Sequence, residues 1–126
     1  MKVLQVLDQA YRTVVEEQDD TILWLSQSMR GAGADICILL SGHAVSYAVL
    51  SKTQPALKIG QWKQMQPANI HQDISRLQKQ DVPIFAVKED LEARGLGDVS
   101  IHPGIELIDR SGLTNLYENV DQVWHW

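Results

Sequence analysis

Ser41 and His43 sit in the stretch "SGHAV", and Asp8 ends an apolar run near the start of the chain. A hydroxyl, an imidazole and a carboxylate are the parts of a nucleophile, its base and an orienting acid, but that constellation is defined by geometry rather than by order in the chain. The plainer reading makes "SGHAV" a turn in which Gly42 takes an unusual backbone angle and Ser41 caps the following helix. Ligand contact by His43 is better supported than catalysis, because the stretch follows a strand and open α/β sheets bind ligands at that edge. Cys37 is the one thiol. It would be a sulfur nucleophile if exposed, but it stands inside "DICILL", where burial among aliphatic side chains disfavours the thiolate and leaves a core residue.

Other clusters invite chemistry less strongly. "EEQDD" gathers Glu16, Glu17, Asp19 and Asp20, which could serve a hard cation, yet acids just before a helix also suit its dipole, and that reading is favoured. The four histidines are scattered without zinc-ligand spacing. The glycines of "GAGADI" follow a helix pattern and precede a strand, the reverse of a dinucleotide fingerprint. No phosphate-binding P-loop or G-x-S-x-G elbow occurs. Between Asp35 and Asp73 there is no acid, while Lys52, Lys58 and Lys63 stand beside Trp62 and Met65. This positive segment could attract an anionic ligand or an acidic partner, with a solvated loop as the equal alternative. Trp62, Met65, Trp124 and Trp126 are of residue types enriched at interfaces, which points to subunit association.

Elements must hold these residues, and 126 residues are enough for one domain with its own core. Apolar residues at 44% and charged residues at 21% exclude disorder and coiled coil. A net charge of −5 argues against nonspecific nucleic-acid binding, which needs a basic surface. The N-terminus lacks the long apolar core of a signal peptide, no run is long enough to span a bilayer, and a lone cysteine fits a reducing compartment. A cytoplasmic location is therefore expected.

"KVLQVLD" and "DICILLSG" read as strands buried on both faces, as in parallel sheets covered by helices. Between them, Ile22, Leu25 and Met29 recur at helical spacing and Gly31 and Gly33 mark the end. "HAVSYAVLS" suits a short helix, and "KTQPALKIGQWKQMQPAN" reads as a long loop, a lid, binding or interface segment. Asn69 and Gln72 form a capping box for a helix with Ile70, Ile74 and Leu77 on its apolar stripe. "VPIFAVKEDLEARG" is a third strand running into a helix, "PGIELID" a fourth strand, and "QVWHW" a fifth. Before the last, Ser111 caps a helix carrying Leu113, Leu116, Tyr117 and Val120. Alternating strands and helices predict a three-layer α/β/α fold with a mostly parallel sheet of about five strands.

In order and spacing, "GADICILLSGHAV", "VPIFAVKEDLEARG" and "LTNLYENVDQVWHW" resemble the DsrE/DsrF-like family, which includes DsrE, DsrF and DsrH and their TusB, TusC and TusD relatives. The resemblance spans nearly the whole chain, residues 1–126 as one domain. It implies a compact subunit that assembles into dimers, trimers or hexamers, often with related chains, and it implies a sulfur-carrier protein as a partner. No cofactor and no metal are expected. Active members carry a persulfide cysteine at the end of the third strand, just before a helix ending in Arg-Gly. Counting back from Arg94-Gly95 places that position at Val87, or at Lys88 if the register slips, and neither is cysteine. The resemblance thus implies a noncatalytic subunit in which Arg12, Ser41, His43 and Lys88 contact a partner or small anionic ligand. Its alternative is a sulfurtransferase or carrier using Cys37, and a hydrolase using Ser41 and His43 ranks third.

Overall fold

The computed structural model describes residues 1–11, 16, 19–50 and 55–126; Arg12, Glu17 and Lys52 lie outside them. In chain order the elements are β1 (Lys2–Leu7), α1 (Thr21–Gly31), β2 (Asp35–Leu40), a 3-10 helix (Gly42–Ala48), β3 (Lys58–Ile59), β4 (Trp62–Lys63), α2 (Ile70–Lys79), β5 (Ile84–Val87), α3 (Lys88–Ala93), β6 (Glu106–Ile108), a 3-10 turn (Arg110–Gly112), α4 (Leu113–Glu118) and β7 (Gln122–His125). Five strands form one parallel sheet in the order β6-β5-β2-β1-β7, and β3 and β4 form a separate antiparallel hairpin. Among the described residues no helix is long and apolar enough to cross a membrane.

Topology decides which face each helix covers. The chain steps from β1 to β2 to β5 in one direction, so right-handed crossovers lay α1 and α2 on the same face. Returning from β6 to β7 reverses the direction and lays α4 on the other. Side chains confirm the division, because strand residues alternate between faces. Val3, Leu7, Ile36, Ile38, Leu40, Ile84 and Ala86 pack with Ile22, Leu23, Ile70, Ile74 and Leu77 of the first two helices. Leu4, Val6, Cys37, Leu39 and Val87 form the second core beneath Leu113, Leu116 and Val120.

Helix ends follow the local chemistry. Asp20 caps α1, its carboxylate accepting the N–H groups of Ile22 and Leu23 at 2.9 and 3.1 Å, and Asn69 caps α2 through the N–H of Gln72 at 3.2 Å. On α1 the fully buried residues are Ile22, Leu23 and Ser26, while Leu25 and Met29 are half-buried, so the inward stripe is rotated from the one expected. Three further expectations are corrected. The hairpin lies inside the segment read as loop, because strands of two residues leave no periodicity to detect. Strand β6 starts at Glu106 rather than Pro103, since Gly104 turns the chain at φ 88°. Ser111 does not cap α4; Gly112 precedes the helix without a side-chain cap.

Candidate functional site at the strand tips

Parallel strands bring the residues that follow them to one edge of the sheet. Asp8 follows β1, Ser41 follows β2, Lys88, Glu89 and Asp90 follow β5, Arg110 lies just beyond β6, and His125 ends β7. The Ser41 hydroxyl donates to Asp8 Oδ1, and His125 Nε2 meets Asp8 Oδ2. The backbone N–H of His43 donates to the Asp8 carbonyl at 2.9 Å. Gly42 makes this crossing possible. Its φ is 53°, and a Cβ there would stand 3.1 Å from the Asp8 carbonyl oxygen.

Asp8 is therefore the hub, and the sequence-based trio is rearranged. Ser41 bonds to the carboxylate rather than to an imidazole, so no ring stands ready to take its proton as a hydrolase requires. Ser41 also makes no capping bond to the 3-10 helix, because its hydroxyl is turned to Asp8. His43 leaves its ring exposed, and the imidazole that reaches the tip is that of His125. The alternation of β7 sets His125 on the same face as Val6, but only the pairing with β1 reveals that it reaches Asp8.

The neighbouring tip is built around two acids of α3. Asp90 accepts the Gly42 N–H at 2.8 Å and the Arg110 guanidinium at 2.6 Å. Burial pushes its pKa up, but those bonds and the nearby arginines outweigh it, and the carboxyl is held below its usual range. Glu89 accepts the Arg110 N–H at 2.8 Å. Lys88 is exposed beside them.

Val87, the last residue of β5, is 1% exposed inside the second core. Cys37 is equally buried in that core, its Sγ 3.9 Å from the Val3 carbonyl oxygen. Burial pushes its thiol pKa up, with Lys2 opposing and Asp35 adding to the shift. Cys37 and Val87 are thus closed to solvent, while Lys88, the alternative position, is exposed.

The acidic stretch before α1 is dispersed. Glu16 accepts the N–H groups of Met65 and Gln66, the latter at 2.7 Å. Asp19 pairs with Arg76 at 3.5 Å, and Asp20, already a cap, takes the Tyr47 hydroxyl at 2.8 Å. Among the described residues no three acid, histidine or cysteine side chains are placed to hold a metal ion. The sequence reading missed Asp73, which is fully buried on α2 and accepts the Asp20 N–H at 2.9 Å. Burial and a hydrogen bond with Asp19 push its pKa up to about 8, although the Asp20 N–H and Gln27 pull it down. Asp73 falls at i+3 of the apolar stripe begun by Ile70, so an acid on a core-facing position was the available signal.

Of the aromatic and methionine candidates, Trp62 and Met65 are exposed in or beside the hairpin and Trp124 is partly exposed on β7. Trp126 turns inward, packing on the main core and donating its indole N–H to the buried Gln5 at 2.6 Å.

The family described as DsrH like protein matches residues 60–123, from the hairpin turn through α2, β5, α3, β6 and α4 into β7. No curated protein sequence matches. The crystal structure of the YchN protein from E. coli superimposes with a TM-score of 0.74 over 99% of this chain and 98% of that one, at 21% identity. That likeness establishes the fold.

Proposed function

The chain belongs to the DsrH-like family, and from that premise we propose that it is a noncatalytic subunit of a sulfur-relay assembly. One observation carries the reading. The strand end where active relatives are expected to hold a persulfide is Val87, or Lys88 if the register slips, and the only thiol, Cys37, is buried in the core that Val87 joins. A persulfide needs an accessible thiolate, and neither position offers one. The chain's contribution is then its surface, and the partners this reading implies are further copies, related DsrE-like chains or a sulfur-carrier protein.

Small-anion binding by Arg12, Ser41, His43 and Lys88 is a second reading, supported by the exposed side chains of His43 and Lys88. The carboxylates of Asp8, Glu89 and Asp90 at the same edge favour the assembly reading over it. Intact-mass measurement after exposure to polysulfide tests the noncatalytic role, and an unchanged mass is expected. Sulfur gained by the wild type and absent from Cys37→Ser would establish the carrier reading instead.

A further inference from the structure

Two carboxyl groups hydrogen-bond to each other only when one of them keeps its hydrogen, and Asp73 on α2 is bonded in that way to Asp19, just before α1. The two ends of this contact differ. Asp73 is fully buried, whereas the Asp19 side chain is 35% exposed and pairs at 3.5 Å with the half-exposed Arg76. Asp20, the next residue, is fixed by bonds that need no proton on Asp73. Its N–H donates to the Asp73 carboxyl at 2.9 Å, and its own carboxylate caps α1 and accepts the Tyr47 hydroxyl. Asp20 is therefore the fixed point, and Asp19 is the residue whose anchorage depends on the shared hydrogen.

Glu16 lies a few residues before Asp19 and makes a contact of its own. Its carboxylate accepts the N–H groups of Met65 and Gln66, just beyond β4, at 3.0 and 2.7 Å. The hairpin depends on that tie. Every residue of its two strands is exposed, Lys58 stands opposite Lys63, and a two-stranded ribbon is marginal in water by itself. A buried acid on α2 is thus connected, through Asp19 and Glu16, to the attachment of a surface hairpin.

We infer that Asp73 and Asp19 form a pH-sensitive latch: loss of the shared proton frees Asp19 and, with it, Glu16, and so unties the β3–β4 hairpin. An ionised Asp73 faces Asp19 and Asp20, two further acids, with the Asp20 N–H and the Gln27 amide as its donors. The 3-10 helix brings Tyr47, which burial and the Asp20 carboxylate keep protonated, and Tyr11 packs edge-on against that ring. On α2, Arg76 is engaged with Asp19, and His71 is exposed and bonded to His102. Repulsion is relieved by the movable acid, so Asp19 turns out to water with Arg76 while Asp20 stays pinned. The closed form holds its proton up to about pH 8, and the open form releases it at lower pH. Raising the pH therefore favours opening, until the closed form has itself ionised. The latch does not depend on the role proposed for the chain.

Amide-exchange NMR on the full chain tests it, with protection factors dividing out the intrinsic acceleration of exchange by base. From about pH 6 to about pH 8 the Met65 and Gln66 amides of the wild type should lose about tenfold or more in protection, since one proton allows up to about tenfold per pH unit. Amides of β2 report global unfolding and should stay more protected throughout. Asp73→Asn, whose amide donates to Asp19 at every pH, should hold Met65 and Gln66 at their acid-side protection. Asp19→Asn should do the same from the other side, its amide donating to the ionised Asp73, and it decides the matter if Asp73→Asn does not fold. Glu16→Ala should leave both amides unprotected at every pH. Unchanging protection in the wild type, a loss that only follows β2, an equal loss in either asparagine variant, or protection that survives Glu16→Ala overturns the latch.

Discussion

Asp73→Asn should flatten the dependence of stability on pH between about pH 5 and pH 8. Asp73 is fully buried on α2, with Asp20 and Asp19 beside it and Gln27 and Tyr47 on the neighbouring elements, while Arg76 is half-exposed and paired with Asp19. A carboxyl in that setting keeps its proton, and its pKa is pushed up to about 8 from the ordinary 3.8. The unfolded chain releases the proton near the ordinary value. Between those limits the native state therefore binds one proton more than the unfolded state, and raising the pH favours unfolding. One proton corresponds to about 1.4 kcal/mol per pH unit, so about 4 kcal/mol is lost from pH 5 to pH 8. Asparagine is neutral throughout, its amide oxygen can accept the Asp20 N–H, and its amide group can donate to Asp19 as the protonated acid does.

Urea unfolding of wild type and Asp73→Asn across that range gives the result as a difference. His102, whose pKa burial and His71 push down, contributes with the opposite sign. That contribution is common to both proteins and cancels. The difference should favour the variant increasingly as the pH rises, by about 4 kcal/mol over three pH units. Parallel profiles, or a wild type that gains on the variant as the pH rises, would refute a proton held at Asp73.

Gly42→Ala should cost about 1–2 kcal/mol, because alanine would have to adopt φ 53° and place its Cβ 3.1 Å from the Asp8 carbonyl oxygen; chemical denaturation reads the loss. Asp90→Ala should cost about 1–3 kcal/mol, since it strips the Gly42 N–H and the Arg110 guanidinium of a common charged acceptor. The Asp90 carboxyl is held below its usual range, so its contribution is present above the ordinary carboxylate pKa and lost as the pH falls through the lowered one. The variant should accordingly differ least from wild type at strongly acidic pH, and a gap that widens on acidification would contradict the assignment.

Strands β1, β2 and β5 were readable because burial on both faces turns them into continuous apolar runs, and α2 because its cap and its stripe agree. The hairpin was not, since its stability comes from two paired residues on each strand and from a distant carboxylate, Glu16. The strand-tip cluster was readable in part. Asp8 and Ser41 each end an apolar run, so their convergence follows once the two strands are placed side by side. His125 joins them only because the last crossover reverses direction and returns β7 to the flank of β1, a choice that lies in the topology of the whole sheet.

That same reversal ties the sheet's architecture to the proposed role. Had the chain continued outward after β6, the fourth helix would have lain on the face that α1 and α2 already cover, and the Cys37–Val87 face would have been bare. By returning, it places a single short helix there, enough to bury the thiol and Val87 but leaving Tyr117 and Val123 at the surface. The topological step that buries Cys37 and Val87 is therefore also the step that leaves Tyr117 and Val123 exposed. A protein of this fold that retained a reactive cysteine after β5 would have to keep that strand tip open to solvent. Here Asp90 instead bridges the Gly42 N–H and Arg110 across that same tip, and the residue that ends the strand is core.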